Sequence, residues 1–357
     1  MKSEETVKFL AQLVHRGLLD GAAAQRALAT PDAREYLIAH GVLTAAQWDE
    51  WLDTNAGTRP KLARYELLEE LGEGGEARVF RARDRTTDEV VALKVLKSEL
   101  SNRPAVVRRF IAEAKLLIDL ECPNIVKGRR VAREGDVFFC AMELIDGESL
   151  QERLDHDGPL SEDDALDVVR QVANALAYLH ERNCVHRDVK PGNLMRDRGG
   201  RVALIDLGFA IRGDDEVDSE TTAGTAHYVS PEQARGHGDL DVRADIYSLG
   251  ATLYHLLTGS LPFSGETSEE IVAKQVLEAL SGEEIRSMDL SPQAHYLIEK
   301  MMAKDKGIRF QDPRELAREV DGILQQRAYE RSVEASRPRL GTRRARPNSG
   351  ARRRKRR

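Results

Sequence analysis

The chain has 357 residues, 41% hydrophobic and 32% charged, with a formal net charge of −6, a length that predicts two or three folded units rather than one small core. No apolar run approaches the length of a bilayer-crossing helix, and residues 1–30 carry acids among short apolar groups unlike a signal peptide, so a cytoplasmic protein is expected. Cys122, Cys140 and Cys184 are odd in number and lack CxxC spacing, which argues against a disulfide framework or a zinc site.

Residues 1–53 contain an internal repeat. LVHRGLLD (Leu13 to Asp20) lines up with LIAHGVLT (Leu37 to Thr44), each copy reading as helix, glycine stop, apolar pair, N-cap and new helix. Gly17 and Gly41 suit the left-handed residue that ends a helix, and Asp20 and Thr44 suit the cap of the next. Thr44 with Gln47 fits a capping box, and Thr30-Pro31 fits a cap followed by proline at the first helical position. Four short helices in two hairpins are expected, with Trp48 and Trp51 in the last. Residues 54–63 have linker composition.

From Tyr65 the pattern turns to strands. LGEGGEARVF (Leu71 to Phe80) is a glycine-rich turn between apolar strands, where Gly72, Gly74 and Gly75 leave backbone N–H groups open to an anion. VVALKVL (Val90 to Leu96) is a buried strand interrupted by Lys94, whose ammonium calls for a phosphate or carboxylate partner. Pro104 to Leu120 reads as a helix carrying Glu113 beside its apolar stripe. VFFCAMELIDGESL (Val137 to Leu150) is a buried strand breaking at Asp146-Gly147, and Glu162 to Glu181 is an amphipathic helix. In HRDVKPGN (His186 to Asn193), Asp188 supplies a carboxylate that can accept a hydroxyl proton. Asn193, five residues on, supplies an amide oxygen that can ligate a metal, and the combination suits phosphoryl transfer. Residues 336–357 hold eleven Arg or Lys and no Asp or Glu, which leaves the rest of the chain strongly acidic.

With the glycine loop, VALK, the helix glutamate, HRDVKPGN and DLG in hand, the stretch from Tyr65 to Gln326 resembles the eukaryotic-like protein kinases, most of all their bacterial (Hanks-type) serine/threonine branch. The resemblance implies an α+β, two-lobed protein kinase fold, with a β-rich N-lobe and an α-rich C-lobe, preceded here by the small all-α module. The expected boundaries are 1–53 for the module, 54–63 for the linker, 64–326 for the kinase domain and 327–357 for a basic, disordered tail. The implied cofactors are ATP and Mg2+, with Mn2+ as an alternative.

The resemblance also implies roles. Leu71, Gly72, Gly74, Gly75, Val79 and Ala92 would line the ATP site, with Met142 as gatekeeper and Glu143, Leu144 and Ile145 as the hinge that meets adenine. Lys94 would hold the α- and β-phosphates and pair with Glu113, while Asp206 and Asn193 would bind the metal. Asp188 would orient and deprotonate the substrate hydroxyl, and Lys190 would neutralise the transferring group. Thr225 would face both. Asp245 would brace the catalytic loop and Arg309 would pair with Glu232. Thr221 and Thr222 would be autophosphorylated and met by Arg187.

Two departures stand out, Ala77 for the usual third glycine and Leu207 for the usual phenylalanine. The implied function is transfer of the ATP γ-phosphoryl group to Ser and Thr of proteins. The alternative is a catalytically weak kinase-like scaffold that recruits partners through the module and tail. The tail itself has three expected uses besides mere solubility: docking on the acidic activation segment, nucleic acid, or anionic lipid.

Overall fold

The computed structural model describes residues 10, 14, 19–30, 33–42, 44, 60–208, 210–212, 226–236, 240–278, 280 and 290–336. Two compact units divide at Arg103/Pro104, with Ala132–Phe139 belonging to the first.

In the N-terminal module, α1 (Gly21–Ala29) starts where Asp20 Oδ1 accepts the Ala23 N–H at 2.7 Å, and α2 (Ala33–Ala39) stops at Gly41, whose φ of +68° is the left-handed stop read from the repeat. Leu10, Leu19, Ala23, Ala24, Ala27, Ala33 and Leu37 form its small core. The Thr30 hydroxyl donates to Ala27 O at 2.7 Å at the end of α1; its expected role as cap of the next helix falls on residues 31–32, outside the described residues. Gly17, Pro31, Gln47 and both tryptophans lie outside the described residues.

The sheet of the first unit is built on the antiparallel strands β1 (Tyr65–Glu73), β2 (Ala77–Asp84) and β3 (Val90–Leu96), which lead the order β1-β2-β3-β5-β4. Residues 132–139 supply its parts of β4 (Gly128–Glu134) and β5 (Val137–Glu143). Phe80, Val91, Leu93 and Val95 are buried. Tyr65 packs edge-on against Phe139 with centroids 5.5 Å apart.

The second unit is mainly helical. It contains α3 (Pro104–Asp119), α4 (Leu150–Asp157), α5 (Glu162–His180), α6 (Pro231–Ala234), α7 (Val242–Thr258), α8 (Ser268–Leu277), α9 (Pro292–Met301) and α10 (Pro313–Ser336). α5 buries Leu166, Val169, Val172, Ala173, Leu176 and Leu179, an i, i+3, i+4 face, whereas α7 is buried along nearly its whole length and serves as the centre. Serine and aspartate side chains cap these helices: Ser149, Ser161, Ser230, Asp241 and Ser291 each accept a first-turn N–H.

A three-stranded sheet, β6 (Gly147–Ser149), β8 (Leu194–Asp197) and β9 (Val202–Leu204), flanks them, and β7 (Cys184–Val185) pairs with β10 (Ile211–Arg212). A Cβ at Gly147 would lie 2.0 Å from Arg196 O, so only glycine allows β6 to meet β8 there.

The C-terminal boundary needs correction. A disordered tail was expected from 327, but α10 carries the helix to Ser336 because acids at the start of α5 hold it. Arg327 Nη2 reaches Glu162 Oε2 at 2.6 Å and Nη1 reaches Asp163 Oδ1 at 3.1 Å, and Arg331 also pairs with Asp163. Residues 337–357 lie outside the described residues. Cys122, Cys140 and Cys184 form no disulfide. No helix among the described residues is long and apolar enough to cross a membrane.

Candidate active site

His186–Asn193 leaves β7 and ends in a 3-10 turn at Pro191–Asn193. Its course is held by Asp245 of α7, which is fully buried and accepts the His186 N–H at 2.8 Å and the Arg187 N–H at 2.7 Å. Burial pushes the Asp245 carboxyl above the usual carboxylate range, an effect that His186 and the two N–H donors offset in part. Arg187 sits at φ +70°, a region that non-glycine residues seldom adopt, and its carbonyl accepts from Gln233 Nε2 at 3.0 Å. Desolvation lowers the Arg187 guanidinium pKa. Thr252 Oγ1 donates to Val189 O at 3.3 Å. The loop is thus pinned at His186, Arg187 and Val189, on both sides of Asp188.

That pinning aims Asp188, which is 4% exposed. Its Oδ2 takes Lys190 Nζ at 2.8 Å and Asn193 Nδ2 at 2.7 Å, and Asn193 Nδ2 also donates to Asp188 O at 2.8 Å. Asp188 Oδ1 is buried with no hydrogen-bond partner among the described residues, a state that is costly for a carboxylate oxygen unless a ligand supplies a donor. With its amide nitrogen spent on Asp188, Asn193 keeps its carbonyl oxygen for a cation.

Asp206 follows β9, and its Oδ1 accepts the Gly208 N–H at 2.8 Å. A Cβ on Gly208 would stand 3.1 Å from Asp206 Oδ1 and 3.4 Å from Oε2 of Glu113, a buried residue of α3. Glycine therefore lets two carboxylates approach one point, which is an environment for cations. Leu207 is buried, as an apolar packing residue should be. Among the described residues no group of three or more His, Cys, Asp or Glu could hold a metal. One carboxylate, Asp206, and one amide oxygen, Asn193, are donor types that suit a divalent cation whose shell is completed by phosphates and water.

Met142 and Ile145 are buried while Glu143 and Leu144 are half-buried. Glu232 and Arg309 form a buried two-pronged pair, Nη1–Oε1 2.7 Å and Nη2–Oε2 3.0 Å, with the guanidinium 4.9 Å from the Tyr247 ring centroid. Thr221, Thr222 and Thr225 lie outside the described residues.

In the first unit, Gly74 N donates to Ala77 O at 2.8 Å and closes the glycine turn. A Cβ at Gly72 or Gly75 would meet nothing, so the turn's outer side is open to an anion. Ala77 is buried. Leu71 is exposed, Val79 half-buried, Ala92 buried, and Lys94 half-buried opposite Val79 in the β2–β3 register. Gln233 escaped the sequence reading. The S-x-x-Q spacing of Ser230 and Gln233 marks a capping box, which the structure contains, but nothing local indicates that the same amide also holds Arg187.

Residues 65–319 match the family model described as the protein kinase domain. The chain is 34% identical over 259 residues to the serine/threonine-protein kinase PrkC of Bacillus subtilis, covering 72% of this chain and 40% of that one. It is 35% identical over 261 residues to PknB of Mycolicibacterium smegmatis, covering 71% and 42%. To a probable serine/threonine-protein kinase of Clostridium perfringens it is 36% identical over 262 residues, covering 73% and 38%. The chain spans about two fifths of the length of these relatives.

Proposed function

Since the chain belongs to the protein kinase family, we propose that it transfers the γ-phosphoryl group of ATP to Ser and Thr hydroxyls of proteins. The observation that carries this reading is Asp188, with one carboxylate oxygen held by Lys190 and Asn193 and the other buried and open. A substrate hydroxyl would donate to Oδ1 and pass its proton there as its oxygen attacks. Lys190, 2.8 Å from the other oxygen, would lie beside the transferring group and offset its negative charge.

Asn193 and Asp206 would hold Mg2+, or Mn2+ in its place, with Glu113 close to Asp206. Bound MgATP supplies the phosphoryl group and draws charge from its oxygens. The open turn at Gly72, Gly74 and Gly75, with Lys94, is assigned to the phosphates, and the segment 142–145 to adenine. Asp245 and the Glu232–Arg309 pair are assigned to holding the loop and α6. Thr225 is assigned to hydroxyl selection, and Thr221 and Thr222 to autophosphorylation with Arg187 as the phosphate's partner. The cytoplasm, where ATP is supplied, is the proposed location.

The test is phosphate transfer from radiolabelled MgATP to mixed histones and to the chain itself. Transfer to Ser and Thr is expected, with a loss of roughly a thousandfold or more in Asp188→Asn and Lys94→Met. Equal incorporation by wild type and both variants would remove the enzyme reading and favour the scaffold.

A further inference from the structure

Apart from the groups already assigned, three polar side chains run in single file through the second unit. Lys304 Nζ donates to Tyr247 Oη at 2.8 Å, Tyr247 Oη donates to Gln275 Oε1 at 2.6 Å, and Gln275 Nε2 donates to His227 O at 2.6 Å and Ala226 O at 3.3 Å. Tyr247 and Gln275 are wholly buried. Lys304 Nζ also donates to Gln275 O at 2.8 Å and lies 4.4 Å from the Phe263 ring centroid.

Every hydrogen in this file points the same way, from the ammonium toward the two carbonyls. Each donor therefore strengthens the next, and the amide has one orientation that satisfies all its partners. A buried polar chain in which each member is hydrogen-bonded rigidifies what it joins.

The last link is the backbone at 226–227, immediately after Thr225, the residue assigned to choosing the acceptor hydroxyl. The next residue is anchored as well, because Tyr228 Oη stands 2.8 Å from His255 Nδ1. Glu232, four residues further on, is held by Arg309. The 226–232 segment is thus fastened by side chains from α7, α8 and the stretch after α9, and only Gln275 fastens it through consecutive main-chain carbonyls among the hydrogen bonds described above.

We propose that Gln275 is a positioning residue for the protein substrate: it fixes the backbone at 226–227, where His227 is half-buried and borders the place at which the acceptor Ser or Thr would dock, and Tyr247 and Lys304 fix Gln275. The proposal rests on the kinase reading above. Its file ends on the segment after Thr225 and not on the segment 142–145 assigned to adenine, so its loss belongs to the KM for protein and not to the KM for ATP.

Gln275→Glu keeps the volume and the acceptor for Tyr247 but replaces the Nε2 donor with a second oxygen facing two carbonyl oxygens. Tyr247→Phe keeps the ring beneath Arg309 and removes the relay. With MgATP and mixed histones, Gln275→Glu should raise the KM for histones by about fivefold and Tyr247→Phe by less, with the KM for ATP staying within about twofold of wild type. Amide hydrogen exchange at 226–230, which needs no turnover, should quicken by roughly tenfold in Gln275→Glu.

Unchanged exchange at 226–230 would overturn the proposal, as would KM values for histones and ATP that rise together with a lowered Tm. Failure of the wild type to label histones would instead count against the kinase reading, and the exchange experiment would still decide whether Gln275 holds this backbone.

Discussion

The Arg201 guanidinium binds Glu143, with Nη2 2.5 Å from Oε1, and reaches Asp197 Oδ2 at 3.2 Å and Pro123 O at 3.3 Å. Glu143 lies in the segment assigned to adenine, and its own N–H donates to Lys127 O at 2.8 Å. The Arg201 pKa is raised, chiefly by its hydrogen bond to Glu143. A turn between β8 and β9 therefore steadies the strand end assigned to adenine.

Arg201→Ala should accordingly weaken ATP binding while sparing the chemical step. A partly exposed pair within a small network is worth about 1 kcal/mol, so the KM for ATP should rise roughly fivefold at most, with kcat little changed. Steady-state kinetics over an ATP series check this. A fall in kcat with an unchanged KM would contradict a hinge-steadying role.

Burial makes the Glu232–Arg309 pair unforgiving. Arg309 is 2% exposed and Glu232 7%, and the guanidinium also donates to Ala303 O at 2.7 Å and Arg243 O at 2.8 Å. Removing either partner strands the other as an uncompensated buried charge, at a cost of about 3–5 kcal/mol. Glu232→Ala and Arg309→Ala should each lower Tm by on the order of 10 °C. The double variant should be less destabilised than the two singles added together. Thermal unfolding of all four proteins closes the cycle, and additivity would show that the two residues do not act as a pair.

How much of this was legible depended on whether the chemistry fixes residue types at short offsets. Asp188, Lys190 and Asn193 lie within six positions and form one hydrogen-bonded group, so the motif and the geometry carry the same information. Helix starts were readable for the same reason, as at Asp20, because a cap and its first turn are adjacent. The long-range residues Asp245, Glu232 and Arg309 were reached only through family resemblance. Gln233, Arg201, Gln275 and Arg327 were missed, since their partners lie 46, 58, 48 and 165 positions away. Nothing in a surface-type Gln or Arg announces which carbonyl or carboxylate the packing will bring to it.

The C-terminal helix offers a boundary that can be tested. Arg327 ties α10 to the start of α5 through Glu162 and Asp163, and to the cap of α9 through Ser291 Oγ at 2.5 Å. Hydrogen bonds to a charged group with an 18% exposed side chain contribute about 1–2 kcal/mol together. A chain ended at 326 should therefore melt several degrees below one ended at 336, and Arg327→Ala in the longer chain should reproduce most of the difference. Equal melting of the two lengths would mean the last turns of α10 add nothing to the unit.

Lys304 supplies a pH dependence whose sign can be worked out. Burial, with Arg309 and Arg235 nearby, pushes its pKa down from 10.5 to about 8, against the opposing pull of Glu278. Tyr247 also faces it, and burial raises that phenol's pKa, so the phenol stays neutral across this range. Between pH 8 and the unfolded value the unfolded chain holds a proton on Lys304 that the folded chain has lost. Stability therefore rises with pH across that window, and the full cost of the buried ammonium is present below it. Relative to Lys304→Met, which has no proton to lose, the wild type should gain stability from pH 8 toward pH 10, by about 1 kcal/mol after allowance for the partly exposed side chain. Urea unfolding of both proteins across pH 7 to 10 reads the difference directly. A difference that stays constant, or that grows against the wild type as pH rises, would mean that Lys304 keeps an ordinary ammonium pKa in the fold.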